Sequence, residues 1–199
     1  MTSKYFELTT TSNIAGVSFS RTFTTKGAFS FKIAKGSVTN VGLHTAVANA
    51  TVSHASASVY LNFTASAIKI SSGSGWVNAL TSLPSTDILE ITVVYNNTNT
   101  NTSYGDGITL NAKRAHIYVN GTAIPNGSVA KDFTIPGTSI ATFRIHYNAA
   151  GTGKVDDIKI YDALPTAAPS CEDLGSINGS ISLSKGKSHG LTKTKPNTR

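Results

Sequence analysis

The chain reads as an all-β protein: a two-sheet antiparallel β-sandwich followed by a disordered C-terminal tail. Three observations predict this. Apolar and polar residues alternate with period two, almost without a break, to about residue 162, as strands with one buried face require. β-Branched and aromatic residues recur, and no segment has the Glu, Lys, Ala and Leu content of a long helix. Gly, Asn and Pro turn signals separate about ten short apolar runs.

The elements follow in order. Residues 5–9 predict a short first strand. Val17, Phe19, Arg21 and Phe23 alternate with Ser18, Ser20 and Thr22, and Lys26-Gly27 turns the chain into Phe29, Phe31 and Ile33. Residues 38–52 carry Val38, Val41, Val47 and Val52 among small residues, with no clear period. Val59, Leu61 and Phe63 alternate with Tyr60 and Asn62, and Ile68 and Ile70 follow. Residues 71–76, Ser-Ser-Gly-Ser-Gly-Trp, predict a loop.

Residues 88–95 form the strongest strand signal. The polar stretch 96–107 reads as a loop of about a dozen residues, a length that often carries function. A strand over 115–119 ends in Asn120-Gly121, a strong hairpin signal. A strand over 142–147 has Phe143, Ile145 and Tyr147 on one face and Arg144 and His146 on the other. The last strand, 153–162, carries Asp156 and Asp157 side by side. Alternation directs one of them toward the core, where a carboxylate needs hydrogen bonds, a cation or a metal.

At 199 residues the chain holds one sandwich, residues 1–162, and a linker or flexible basic tail, 163–199. Residues 1–169 carry 12 Lys+Arg and 8 Asp+Glu, a charge of +4. Residues 170–199 carry 5 and 2, a charge of +3, so the tail holds a disproportionate share of the net +7. The body's basic residues stand singly along strands, without the basic stripe and interleaved aromatics of a nucleic-acid binder. A mild positive potential equally suits a sulfated or carboxylated polysaccharide. Cys171 is the only cysteine, so no internal disulfide supports the fold. No apolar stretch is long enough to span a bilayer. The opening residues lack a signal peptide's hydrophobic region, and the Ser/Thr/Asn-rich composition predicts a secreted or cell-surface protein whose signal has been removed.

Residues 116–122, His-Ile-Tyr-Val-Asn-Gly-Thr, resemble the Tyr-Val-Asn-Gly-Thr hairpin of laminin-G-like, concanavalin-type domains, and residues 153–162 resemble their closing strand. Tyr5-Phe6-Glu7 with the late acid pair is similar to the jelly-roll adhesin modules of bacterial surface proteins. The resemblance implies a concanavalin-like jelly roll and a carbohydrate-binding or adhesive module of a secreted bacterial protein. It also implies a structural calcium ion held by Glu7 with Asp156 or Asp157. Asp106, between two glycines, is a further acid in a turn.

A sugar site needs a flat aromatic to cover the apolar face of a pyranose, flanked by groups that bond its hydroxyls. Trp76, Tyr104, Tyr60 and Tyr118 are the candidates, the last two alternating with core residues and so facing outward. Asn96, Asn97, Asn99 and Asn101 are possible amide donors. Arg144 and His146 complete the ligand-binding set, and His116 or His146, both read as outward-facing, with Tyr and Arg is also the set a lyase would use on an acidic polysaccharide. Glu7, Asp87, Glu90 and Asp132 are too isolated to read as a glycosidase acid/base pair, and no nucleophile elbow, phosphate loop, dinucleotide fingerprint or zinc-ligand spacing occurs. The leading reading is a non-catalytic polysaccharide-binding module. A polysaccharide lyase and a protein-binding adhesin are the alternatives.

Overall fold

The computed structural model describes residues 6–10, 15–20, 23–35, 37, 39–44, 57–125, 131–136, 139–147 and 151–170. Fifteen strands follow one another with no helix among the described residues: β1 (Phe6–Thr10), β2 (Ala15–Ser20), β3 (Lys26–Ala34), β4 (Thr39–His44), β5 (Ala57–Phe63), β6 (Ile68–Ser71), β7 (Trp76–Leu80), β8 (Ile88–Asn96), β9 (Thr102–Tyr104), β10 (Ile108–Leu110), β11 (Arg114–Val119), β12 (Thr122–Ala123), β13 (Phe133–Thr134), β14 (Thr142–Tyr147) and β15 (Gly151–Tyr161).

They build two main antiparallel sheets. The first has the order β1-β15-β3-β8-β11-β12, with β13 also on β11. The second has the order β2-β14-β4-β5-β6-β7. Strands β9 and β10 form a separate two-stranded hairpin. The sheets meet through the apolar half of each alternation. Phe29, Phe31, Ile33, Leu89, Ile91, Val93 and Ile117 come from the first sheet, and Val41, Leu43, Val59, Leu61, Phe63, Phe143 and Ile145 from the second. Phe29 meets Phe143 edge-on at 5.4 Å and Phe31 meets Phe63 edge-on at 5.7 Å, so both aromatic pairs bridge the two sheets. Burying each such ring contributes about 1.5–3 kcal/mol.

The Asn120-Gly121 turn forms as its sequence predicts. Both residues have positive φ, 49° and 71°, as the right-handed twist of a hairpin demands. Asn120 Oδ1 accepts from the Glu90 amide at 2.8 Å, tying the turn to β8.

A smaller apolar cluster lies on the outer face of the first sheet: Ala28, Val94, Tyr104, Leu110, Tyr118 and Tyr161, with Ile108 and Leu164 packed against it. The hairpin β9–β10 thus covers that face. The stretch expected to be one polar loop, 96–107, contains β9. Residues 163–170, expected to be linker, run along the same hairpin. The Gly105 amide donates to the Pro165 carbonyl at 2.9 Å, and Pro165 and Pro169 are buried. The expected tail beyond this point, with Cys171, lies outside the described residues.

Candidate functional site

The outer face of the second sheet is what remains after its strands have fed the core. Val59, Leu61 and Phe63 point inward from β5, so Tyr60 and Asn62 take the opposite face. By the same alternation Asn40 and Gly42 come from β4, Lys69 and Ser71 from β6, and Arg144 from β14. Register aligns them in two rows. Arg144 lies opposite Gly42, and Gly42 opposite Tyr60. His146 lies opposite Asn40, Asn40 opposite Asn62, Asn62 opposite Lys69, and Lys69 opposite Asn78. Trp76 lies opposite Ser71.

The rings of Tyr60 and Trp76 are 5.5 Å apart and tilted by 33°. Asn62 Nδ2 donates to Asn40 Oδ1 at 2.5 Å. Gly42 stands between Arg144 and Tyr60 in register, and β4 lies so close to β5 there that a Cβ would collide with the Val59 carbonyl and lie 2.9 Å from Tyr60 Cα. Burial raises the Tyr60 phenol well above its ordinary value, against the pull of Asn40 and the Arg144 charge. Burial also lowers Arg144, partly offset by Tyr60. Tyr60 is 2% exposed and Arg144 5%, whereas Trp76, Asn62 and Lys69 are half-buried and Asn78 is exposed. The accessible end of the face is therefore an indole resting on a buried phenol, beside two amides and an ammonium group. Such a surface can cover an apolar sugar face and bond its hydroxyls.

Of the residues singled out from the sequence, Trp76, Tyr60 and Arg144 are brought together here, with His146 in register beside them. Trp76 opens β7 instead of closing a loop. Tyr60 is on the outward face, but Trp76 and its other neighbours keep it from solvent.

Tyr104 and Tyr118 belong to the other sheet. Tyr118 takes the outer face as alternation requires, yet the β9–β10 hairpin lands on it and leaves it 4% exposed, and Tyr104, from that hairpin, 3%. Tyr104 Oη is bonded to Nδ1 of His116 at 2.7 Å and also to the Tyr118 hydroxyl. His116 Nε2 is bonded to Asp132 Oδ1 at 2.8 Å, and Asn111 Nδ2 donates to the other Asp132 oxygen. A carboxylate only accepts, so Nε2 carries the imidazole proton. Nδ1 then accepts from Tyr104, and Tyr104 accepts from Tyr118. Burial holds both phenols above their usual range and lowers His116, which Asp132 partly opposes. In the 96–107 stretch Asn96 and Asn97 are buried, and Asn96 Nδ2 donates to the Thr100 carbonyl at 2.8 Å, whereas Asn99 and Asn101 are exposed and Asn101 Oδ1 accepts from the Ala112 amide at 3.0 Å.

The acids take a different arrangement from the expected one. β1 pairs with β15, but Glu7 stands opposite Lys154. Between Asp156 and Lys159 the β15–β3 register shifts, so Val155 and Ile160 both reach the core although their positions differ in parity. The bulge turns the acid pair away from the core: Asp157, at φ 52°, is exposed and Asp156 is half-buried. Asp156 Oδ1 accepts from the Asp157 amide at 2.8 Å, and Asp157 Oδ2 lies 3.0 Å from Lys32 Nζ and 3.8 Å from Lys159 Nζ. Two ammonium groups beside one carboxylate do not fit a calcium ion, which draws about six to eight oxygen ligands. No group of three or more His, Cys, Asp or Glu that could hold a metal occurs among the described residues.

Asn40, Lys69 and Asn78 were not singled out from the sequence. Asn in a strand is a signal in itself, because strands disfavour it unless its amide is bonded. Asn40 lies in the stretch whose period was obscured by small residues.

No protein-family model and no curated protein matches the chain. Among solved structures it is similar to domain 4 of the extracellular arabinanase AbnA from Geobacillus stearothermophilus, in complex with arabinotriose. That likeness has 12% identity and a TM-score of 0.41, over 77% of this chain and 66% of that one. It is similar to a tetrameric galectin from the sponge Cinachyrella (10% identity, TM-score 0.40, 73% of this chain and 99% of that one). It is also similar to the heptameric SAP-like pentraxin of Limulus polyphemus (9% identity, TM-score 0.47, 78% of this chain and 73% of that one). The chain spans just under two thirds of the arabinanase domain. At these levels of likeness none of the three bears on what this chain binds.

Proposed function

We propose that the sandwich is a non-catalytic polysaccharide-binding module of a larger secreted protein, and that it binds glycan on the outer face of the second sheet. The observation that carries this reading is the Tyr60–Trp76 ring pair set beside the Asn40–Asn62 amide pair. Trp76 supplies the apolar platform. Asn62, Lys69 and Asn78 supply donors and acceptors along one row, and the packed Tyr60 beneath holds the indole in place.

Affinity electrophoresis against a panel of soluble polysaccharides tests it. One glycan class should retard the protein, and Trp76→Ala should abolish that retardation while leaving the thermal midpoint near that of the parent. Mobility unchanged by every glycan would overturn the reading.

A second reading has one observation in its favour: β14 and β5 put Arg144, His146 and Tyr60 within neighbouring register positions, the residue types a lyase uses to neutralise a uronate and move its proton. Tyr60 is too buried to meet a substrate without rearrangement, which favours binding over catalysis. A shortened polymer bearing a new C=C bond, formed by the parent and not by a His146→Ala variant, would establish the lyase instead.

A further inference from the structure

We infer that the glycan bound on the second sheet is anionic, bearing carboxylate or sulfate groups that Lys69 receives, with the buried charge of Arg144 behind the face. This rests on the proposed binding face and specifies its ligand. The charges of the two sheets are segregated. The strands of the first sheet mix five Lys+Arg (Lys26, Lys32, Arg114, Lys154, Lys159) with four acids (Glu7, Glu90, Asp156, Asp157), a sum of +1. Those charges pair locally, as Lys32 and Lys159 do with Asp157. The six strands of the second sheet contain no Asp or Glu at all, and carry Lys69 and Arg144, a sum of +2, together with His44 and His146. From Glu7 to Asp87 the sequence holds no acid, and from Asp132 to Asp156 again none, so every strand of this sheet lies in an acid-free stretch.

The charge of a guanidinium withdrawn from water is weakly screened, because the dielectric around it is low, so it adds to the positive potential of the face without touching the ligand. Arg144 sits in that setting at the buried end of the face, with the Tyr60 phenol as its neighbour. Lys69 lies in the accessible row beside Asn62 and Asn78. An anionic sugar laid on Trp76 meets the Lys69 ammonium group and amides and no opposing carboxylate from the sheet.

The test uses the full chain and matched polymers in affinity electrophoresis: polygalacturonate and its carboxyl-reduced form, a sulfated galactan and its desulfated form, and polyglutamate as a sugar-free polyanion. The expected result is retention by one acidic glycan, with its neutralised counterpart bound about tenfold or more weakly. The affected pair distinguishes carboxylate from sulfate. Lys69→Gln should weaken the acidic glycan by a larger factor than it weakens the neutralised form, a readout that does not depend on the folding of an Arg144 variant. Equal binding of acidic and neutralised forms overturns this inference and leaves the binding module standing. Polyglutamate held as tightly as the acidic glycan, or retention lost in a variant with Lys185, Lys187, Lys193 and Lys195 changed to Gln, also overturns it, since the attraction would then be generic or lie in the tail. No retention by any polymer overturns the proposed function itself.

Discussion

The Tyr104 hydroxyl donates to Nδ1 of His116 at 2.7 Å, joining the short β9–β10 hairpin to the outer face of β11. Through His116 the same chain of bonds reaches Asp132, next to β13. Three segments distant in sequence are therefore fastened at one buried imidazole. A buried network of this kind stabilises only when all its members are satisfied.

Acid should loosen that fastening. Burial lowers the pKa of His116 in the folded protein, so the unfolded chain takes the proton first, near an ordinary value of about 6.5. The stability contributed by the neutral imidazole is full above that pH and is lost as pH falls toward the folded value, at no more than about 1.4 kcal/mol per pH unit. Urea midpoints should fall as pH drops from about 7.5 to about 5, and His116→Gln should flatten that part of the profile.

Removing the carboxylate strands a buried donor. Asp132→Ala leaves the His116 Nε2–H without its acceptor and should cost about 1–3 kcal/mol in denaturant unfolding. The glycan affinity of the second sheet should not change, because the network lies on the opposite sheet. A loss of affinity at constant stability would mean that the binding face had been assigned to the wrong sheet.

Gly42 separates Arg144 from Tyr60 and admits no Cβ. Gly42→Ala should force β4 away from β5 and cost more than about 3 kcal/mol, the range of severe backbone and overpacking defects. Soluble yield and the thermal midpoint would show it. A variant as stable as the parent would mean that the two strands are less closely held than the register implies.

Gly105 faces the descending chain. Its φ is 52°, and a Cβ there would lie 2.7 Å from the Ala168 amide nitrogen. Gly105→Ala should lift residues 163–170 from the hairpin. Amide hydrogen exchange in that segment should accelerate while exchange in β3 and β8 stays slow.

Much of the fold was legible because alternation is a local property. Phe29, Phe31 and Ile33, or Phe143 and Ile145, declare their inward face without reference to any partner. What was hidden depends on contacts between segments distant in the sequence. Nothing around Tyr118 announces that residues 102–110 will fold back over it, so an outward residue became a buried one. The bulge after Asp156 inserts a residue that period-two reading does not anticipate, and neither acid of the pair takes the core-facing place that alternation gave to one of them. Trp76, Tyr60 and Arg144 could be nominated singly. That they share one face follows from the order of β14, β4, β5, β6 and β7, which no local pattern encodes.

Strands β1 and β15 pair antiparallel, Phe6 against Val155 and Thr10 against Gly151. The chain therefore enters and leaves the sandwich at the same end of one sheet edge. Tension applied between those two points would load the ladder by peeling, opening it one bond at a time from Phe6 toward Thr10, whereas a sheared ladder would resist with all its bonds at once. A module pulled by its own chain from both sides would thus yield first at β1, with the core and the binding face still intact.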